Sequence, residues 1–130
     1  MLLWWIAISG VMLAALGQSW AIEARRQREA ELVFRGEQIL RALTSYRLST
    51  PEGQPSLPLR LEELLDDRRS GASKRHLRQL WPDPITGEAW AYLLEGERIR
   101  GVYSQGKGVP LSGPPGAQSY EEWRFELSSR

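Results

Sequence analysis

The chain has 130 residues, 42% of them hydrophobic and 25% charged, with a formal net charge of +1. That length accommodates one small domain and at most one membrane segment. Interspersed charges of both signs offer no concentrated basic face for a nucleic acid, and the absence of cysteine excludes disulfides, thiolate catalysis and cysteine-ligated zinc together.

The first element, "MLLWWIAISGVMLAALGQSWAI" from Met1 to Ile22, carries no charged side chain. Its length matches the ~20 residues that span a ~30 Å hydrocarbon core, so a membrane helix is expected over residues 1–22. Trp4, Trp5 and Trp20 stand near its ends, where indoles favour the headgroup level, and Ser9, Gly10 and Gly17 are small residues of the kind found on packed helix faces. A secretory signal peptide would need a basic n-region and a shorter apolar run. A core helix apolar on every side would need more protein around it than the remaining residues supply.

From Glu23 the composition changes without a turn signal. The run "EARRQREAELVFRGEQILRALTSYR" has no proline and a single glycine, and Leu32, Phe34, Ile39, Leu40, Leu43 and Tyr46 recur at roughly helical spacing. An amphipathic continuation over residues 23–48 is expected, making with the membrane half a rod on the order of 70 Å. Its charges read as a solvated surface, with i,i+4 pairs such as Glu31 with Arg35 and Glu37 with Arg41.

A globular head is expected over residues 49–130. Pro51, Gly53, Pro55 and Pro58 make "STPEGQPSLP" a linker. "LRLEELLDDRR" reads as a short helix, with Leu59, Leu61, Leu64 and Leu65 free to pack on the rod, and "GASKRHLRQLW" as a second, basic turn or short helix. "EAWAYLLEG" and "RIRGVYSQ", meeting at Gly96-Glu97, suit an antiparallel hairpin. "GKGVPLSGPPGAQ" is a Gly/Pro loop, and "EEWRFELS" alternates Trp123, Phe125 and Leu127 with charges as a half-buried strand does. The expected class is α+β, a long helix with a small antiparallel sheet packed on it.

Between the helical region and the first strand lies "WPDPITG". Pro82 and Pro84 fix φ and remove donors, Asp83 is placed to accept from the backbone of Ile85 or Thr86, and Gly87 supplies a permissive torsion. Trp81, Pro82, Asp83, Pro84, Gly87 and Trp90 together predict a rigid structural corner, with both tryptophans as packing residues. Arg75, His76 and Arg78 read as a solvated basic helix face. Catalytic chemistry finds little support: His76 is the single histidine, no serine sits in a nucleophile-elbow context, and Glu62, Glu63, Asp66 and Asp67 read as surface charges beside Arg68 and Arg69. Gly106 and Gly108 around Lys107 lack the spacing of a phosphate loop.

The segments "REAELVFRGEQI" with "ALTSYR", "PSLPLRLEELLDDRR", "KRHLRQLWPDPITGEAW", "IRGVYSQGKGVPL" and "SYEEWRF", in that order, resemble the type IV pilin and type II secretion pseudopilin family, in particular its G-type, major pseudopilin branch. The resemblance implies a structural subunit, not an enzyme, that joins a filament by lateral packing of its apolar helix. Leu2, Leu3, Gly10, Leu13, Leu16 and Gly17 become the candidate membrane and assembly residues. It implies membrane lipid, other pseudopilins or pilins and an inner-membrane assembly platform as partners, with no cofactor and no small-molecule substrate.

The chain departs from the family in two respects. The family's basic leader and Gly-Phe-Thr-like cleavage site do not precede Met1, which implies either a start further upstream or an unprocessed, divergent member. Between Ser104 and Tyr120 there is no Asp or Glu, so the calcium loop common in the G-type branch is not expected. Sidedness is contested: Arg25, Arg26 and Arg28 follow the apolar segment and favour a cytoplasmic head by the positive-inside rule, whereas the resemblance implies a periplasmic one. The competing function is a single-span anchored binding or scaffold module that does not polymerise. A small anchored enzyme comes third.

Overall fold

The computed structural model describes residues 2–129; Met1, the first residue of the expected membrane segment, and Arg130 lie outside the described residues. One unbroken helix, α1, runs over Leu2–Leu48. Its 47 residues make a rod of about 70 Å at 1.5 Å per residue. The helix is long and apolar enough near its N-terminus to cross a membrane, and none of that apolar stretch is buried against the rest of the chain.

The head is a three-stranded antiparallel sheet of β1 (Ala91–Glu95), β2 (Arg98–Tyr103) and β3 (Arg124–Glu126), in the order β1-β2-β3. Glu95 faces Arg98 across a two-residue turn in which Gly96 adopts φ +65°, the left-handed torsion such a hairpin needs. A bulge between Leu93 and Leu94 shifts the β1–β2 register, and Val102 faces Phe125 in the β2–β3 ladder.

Beyond its exposed half, α1 becomes one wall of the core. Leu32, Ile39, Leu43 and Tyr46 are buried, and with Gly36 they form a stripe stepping by four, three, four and three residues. This is the spacing that keeps side chains on one helix face. Leu57, Leu61, Leu64, Leu77, Trp90, Ile99, Val102, Tyr120, Phe125 and Leu127 close the cluster from the head. Gly36 permits the close approach of α1 to β3, because a Cβ there would lie 2.6 Å from Cγ of Phe125.

Several local expectations need correction. Phe34 is 54% exposed, since two residues after Leu32 a side chain points to the opposite side of the helix. "LRLEELLDDRR" forms a single 3-10 turn, Leu61–Leu64, with Leu61 and Leu64 buried and Leu59 half exposed. "GASKRHLRQLW" is not helical. Its backbone pairs instead with the preceding segment: Asp67 and Lys74 exchange N–H···O bonds of 2.8 Å, and the amides of His76 and Leu77 both donate to the Leu64 carbonyl at 2.9 Å. The C-terminal run keeps its alternation, with Phe125 and Leu127 buried and Trp123 half-buried, but Tyr120–Glu122 forms a 3-10 turn before the strand begins.

Candidate functional site

The membrane half of α1 presents Leu2, Leu3, Leu13 and Leu16 as exposed side chains, and apart from adjacent residues and the helix's own backbone no atom among the described residues comes within 4 Å of where a Cβ on Gly10 or Gly17 would sit. Positions 10 and 17 are seven residues apart, two turns, and so share a face. All six candidate assembly residues lie on surface that the head leaves open.

The corner is built around Asp83, which is fully buried. Its Oδ1 accepts from the Ile85 amide at 2.9 Å, and its Oδ2 accepts from the Thr86 hydroxyl at 3.0 Å and the Ser104 hydroxyl at 2.6 Å. The Gly87 amide donates to the Asp83 carbonyl at 2.7 Å. Trp90 is buried and its indole N–H donates to the Trp81 carbonyl at 2.9 Å, while Trp81 is 43% exposed. Arg35 fastens the corner to α1, with its Nη1 donating to the Pro82 carbonyl at 2.8 Å and its guanidinium 5.3 Å from the Trp81 ring centroid. Three donors occupy the Asp83 carboxylate, which therefore serves the turn. Gly87 adopts φ +74° with open space around its would-be Cβ. Gly87→Val should therefore act through torsional strain alone and cost about 1–2 kcal/mol, read as a lowered melting temperature of the detergent-solubilised chain. An unchanged transition would show that the positive φ is dispensable.

The second cluster, absent from the sequence expectation, closes the C-terminal end of α1. Asp67 is buried rather than a surface charge. Arg69 forks onto it, Nε to Oδ1 at 2.8 Å and Nη2 to Oδ2 at 2.9 Å, and the same guanidinium donates to the Tyr46 carbonyl at 2.9 Å and the Thr50 hydroxyl at 2.7 Å. A cation at a helix C-terminus satisfies orphan carbonyls and complements the helix dipole. Tyr46 lies beneath Arg69, with its hydroxyl donating to Glu63 at 3.0 Å, and burial followed by the Glu63 contact pushes its pKa up to about 12. His76 is no part of a solvated face: its enclosed ring bridges Asp67 (Nε2 to Oδ2, 2.8 Å) and Ser45 (Nδ1 to Oγ, 2.7 Å).

Ser45, His76 and Asp67 thus form a hydrogen-bonded line of the residue types used in acyl transfer. The surroundings favour structure over chemistry, because the His76 side chain has no exposed surface to meet a substrate and Asp67 is already forked by Arg69. The Arg69 hydrogen bonds hold the Asp67 carboxyl well below the usual carboxylate range, against the opposing effect of burial. A lowered folded-state pKa stabilises the fold above the unfolded value of about 4 and is lost as pH falls below it. The melting temperature should therefore fall between about pH 4 and pH 2, and Asp67→Asn should lower it at neutral pH while flattening that acid slope. An identical acid slope in the variant would remove Asp67 from the acid response.

The third cluster lies nearest the membrane half. Glu29 is 1% exposed, although the sequence places it among solvated charges. Its carboxylate accepts from the Leu111 amide at 2.5 Å, the Ser112 hydroxyl at 3.1 Å and the Tyr120 hydroxyl at 3.0 Å. Arg25, one turn earlier, donates to the Tyr120 hydroxyl at 3.2 Å and to the Val109 carbonyl. The loop before Tyr120, which has no acid of its own, is held by a carboxylate from the helix. A signal was available, since Glu29 extends the stripe of Leu32, Gly36, Ile39 and Leu43 by one more step of three. Of the two expected i,i+4 pairs, Glu31 and Arg35 meet at 2.7 Å, while Glu37 and Arg41 make no ion pair among the described residues.

No family model matches this chain, and no curated protein or solved structure matches it.

Proposed function

We propose that this chain is a pseudopilin-like structural subunit, held in a bacterial inner membrane by the first half of α1 and assembling laterally through it, in support of protein secretion or filament formation. The observation that carries the proposal is the continuity of α1. Its exposed apolar half passes without a break into the half that forms a wall of the head's core.

A tether needs only a flexible connection between anchor and head. A filament subunit needs the head held at a fixed orientation to the packing helix, so that neighbouring heads meet in register. The rigid rod, Arg35 on the corner, Arg69 at the far end and Glu29 at the near end supply such a connection. The head belongs on the periplasmic side in this proposal. Arg25, which the positive-inside rule would count as a retention signal, has a second use in binding the head. The partners are membrane lipid, further copies or related pseudopilins, and an inner-membrane assembly platform.

The cysteine-free chain permits a direct test. A single cysteine in place of Leu13 or Leu16, with an apolar bifunctional maleimide applied to cells, should give crosslinked copies. A product that stays monomeric at both positions, in membranes that contain the protein, would favour the non-polymerising anchored module.

A further inference from the structure

The geometry points to a second membrane contact on the head: the loop carrying Val109 and Leu111 rests in the lipid headgroup layer beside the membrane helix, with Arg26 and Arg28 meeting lipid phosphates. This inference rests on residues 2–22 crossing a membrane.

The loop is fixed at a defined height on the rod. The Val109 carbonyl is bound by Arg25, the Leu111 amide by Glu29, and the Gly108 carbonyl accepts from the Tyr120 amide at 3.1 Å. Along α1, Arg25 lies about 4–5 Å and Glu29 about 10 Å beyond Ile22. The headgroup region on each side of a bilayer is about 5–8 Å deep, and amphipathic segments at its boundary bury apolar groups by about 5–10 Å. With the hydrocarbon boundary at Ile22, the level of Arg25 and Val109 falls inside the headgroup layer and that of Glu29 and Leu111 at its outer edge.

Its side chains suit such a surface. Val109 and Leu111 are 52% and 47% exposed although their backbone is tightly held. An ordered loop that leaves two aliphatic side chains in water forgoes their burial, unless an apolar neighbour covers them. Ile22, at the end of the membrane half, lies on the same face of α1 as Arg25 and Glu29 and is 48% exposed. Arg28 borders the same cleft as Gly108 and Tyr120, Arg26 and Arg28 are exposed and make no ion pair among the described residues, and in the run 23–28 three arginines outnumber the single acid, Glu23. Apolar side chains bordered by unpaired arginines, next to a membrane helix, are complementary to an anionic lipid surface. The opposite end of the head lacks this relation to the bilayer. Leu94, near the hairpin turn, is exposed too, but the hairpin end lies beside Arg47, nearly 40 Å along the rod from Ile22.

The test uses full-length chain in phosphatidylcholine vesicles containing phosphatidylglycerol, with an environment-sensitive fluorophore on one introduced cysteine at a time. Val109→Cys and Leu111→Cys labels should emit at shorter wavelength, lose emission to nitroxide-bearing lipid and resist aqueous iodide. A Leu94→Cys label should respond to iodide alone, and a Leu13→Cys label to lipid nitroxide alone. Without phosphatidylglycerol, lipid quenching at positions 109 and 111 should weaken. If 109 and 111 behave like 94 while 13 is quenched by lipid, the loop contact is wrong and the membrane helix stands. If position 13 also escapes lipid quenching, the spanning helix fails and the loop contact falls with it. Labels at 109 and 111 shielded from both quenchers would assign the surface to protein and overturn the lipid contact. Equal quenching without phosphatidylglycerol would overturn the part given to the arginines.

Discussion

Gly36→Val should be among the most damaging single changes in the head, costing roughly 3 kcal/mol or more in a domain whose whole stability is on the order of 5–15 kcal/mol. A Cβ at position 36 would stand 2.6 Å from Cγ and 2.7 Å from both Cδ atoms of Phe125, meeting the ring across its width. The ring cannot simply swing aside. Phe125 is the central residue of β3, paired with Val102, and its ring stacks near Trp123 with centroids 6.3 Å apart. Relief has to come from sliding α1 off the sheet or detaching β3, and either opens the core. Helix propensity acts the other way, since glycine is about 1 kcal/mol worse than alanine in a helix interior, but that gain is smaller than the overpacking cost. Thermal unfolding of the detergent-solubilised chain, followed through the near-UV signal of the head's aromatic residues, reads the result. In a Phe125→Ala background, which removes Cγ and both Cδ atoms from the contact, Gly36→Val should cost much less than it does with the ring in place. A Gly36→Val variant with unchanged melting would show that α1 and β3 do not approach this closely.

Most of what the sequence made legible about this fold was local. An uninterrupted helical run, a two-residue turn at Gly96-Glu97 and the alternation around Phe125 each depend on residues within a few positions of one another. The Asp83 corner was legible for the same reason, because a carboxylate accepting two residues ahead is a short-range motif. What stayed hidden was polar and long-range. Glu29 meets partners 82, 83 and 91 residues away, and although its place on the buried stripe of α1 separates it from Glu31, nothing near it in sequence points to those partners. Charged residues are rarely buried, so the default assignment to solvent was reasonable and, for Glu29 and Asp67, wrong. Ser104, which completes the Asp83 site from 21 residues on, had no local signal at all. The basic run 71–80 failed for another reason. Its few apolar residues fit a short helix, but its amides find carbonyls on Leu64 and Asp67 instead.

Joint replacement of Gly10 and Gly17 by leucine separates the anchor from the assembling subunit, and assembly should fall about tenfold or more while insertion is unchanged. Within the chain the change meets no resistance, since the space around both positions is open. Leucine is a better helix former than glycine and adds apolar surface, so α1 should form and enter the bilayer at least as well. Any defect must therefore arise from something outside the chain that packs against this face. Close approach of helices in lipid depends on small residues, and losing about 1.4 kcal/mol of that packing is enough for a tenfold change in association. Two isobutyl groups, two turns apart on one face, would hold a neighbouring helix away along the whole contact. Membrane fractionation measures insertion, and crosslinking through a cysteine at Leu16 measures association. Normal fractionation with lost crosslinks is the result expected of a subunit. Undiminished crosslinks in the double variant would mean that the glycines do not line the packing face, and a chain that never crosslinks in either form would be an anchor.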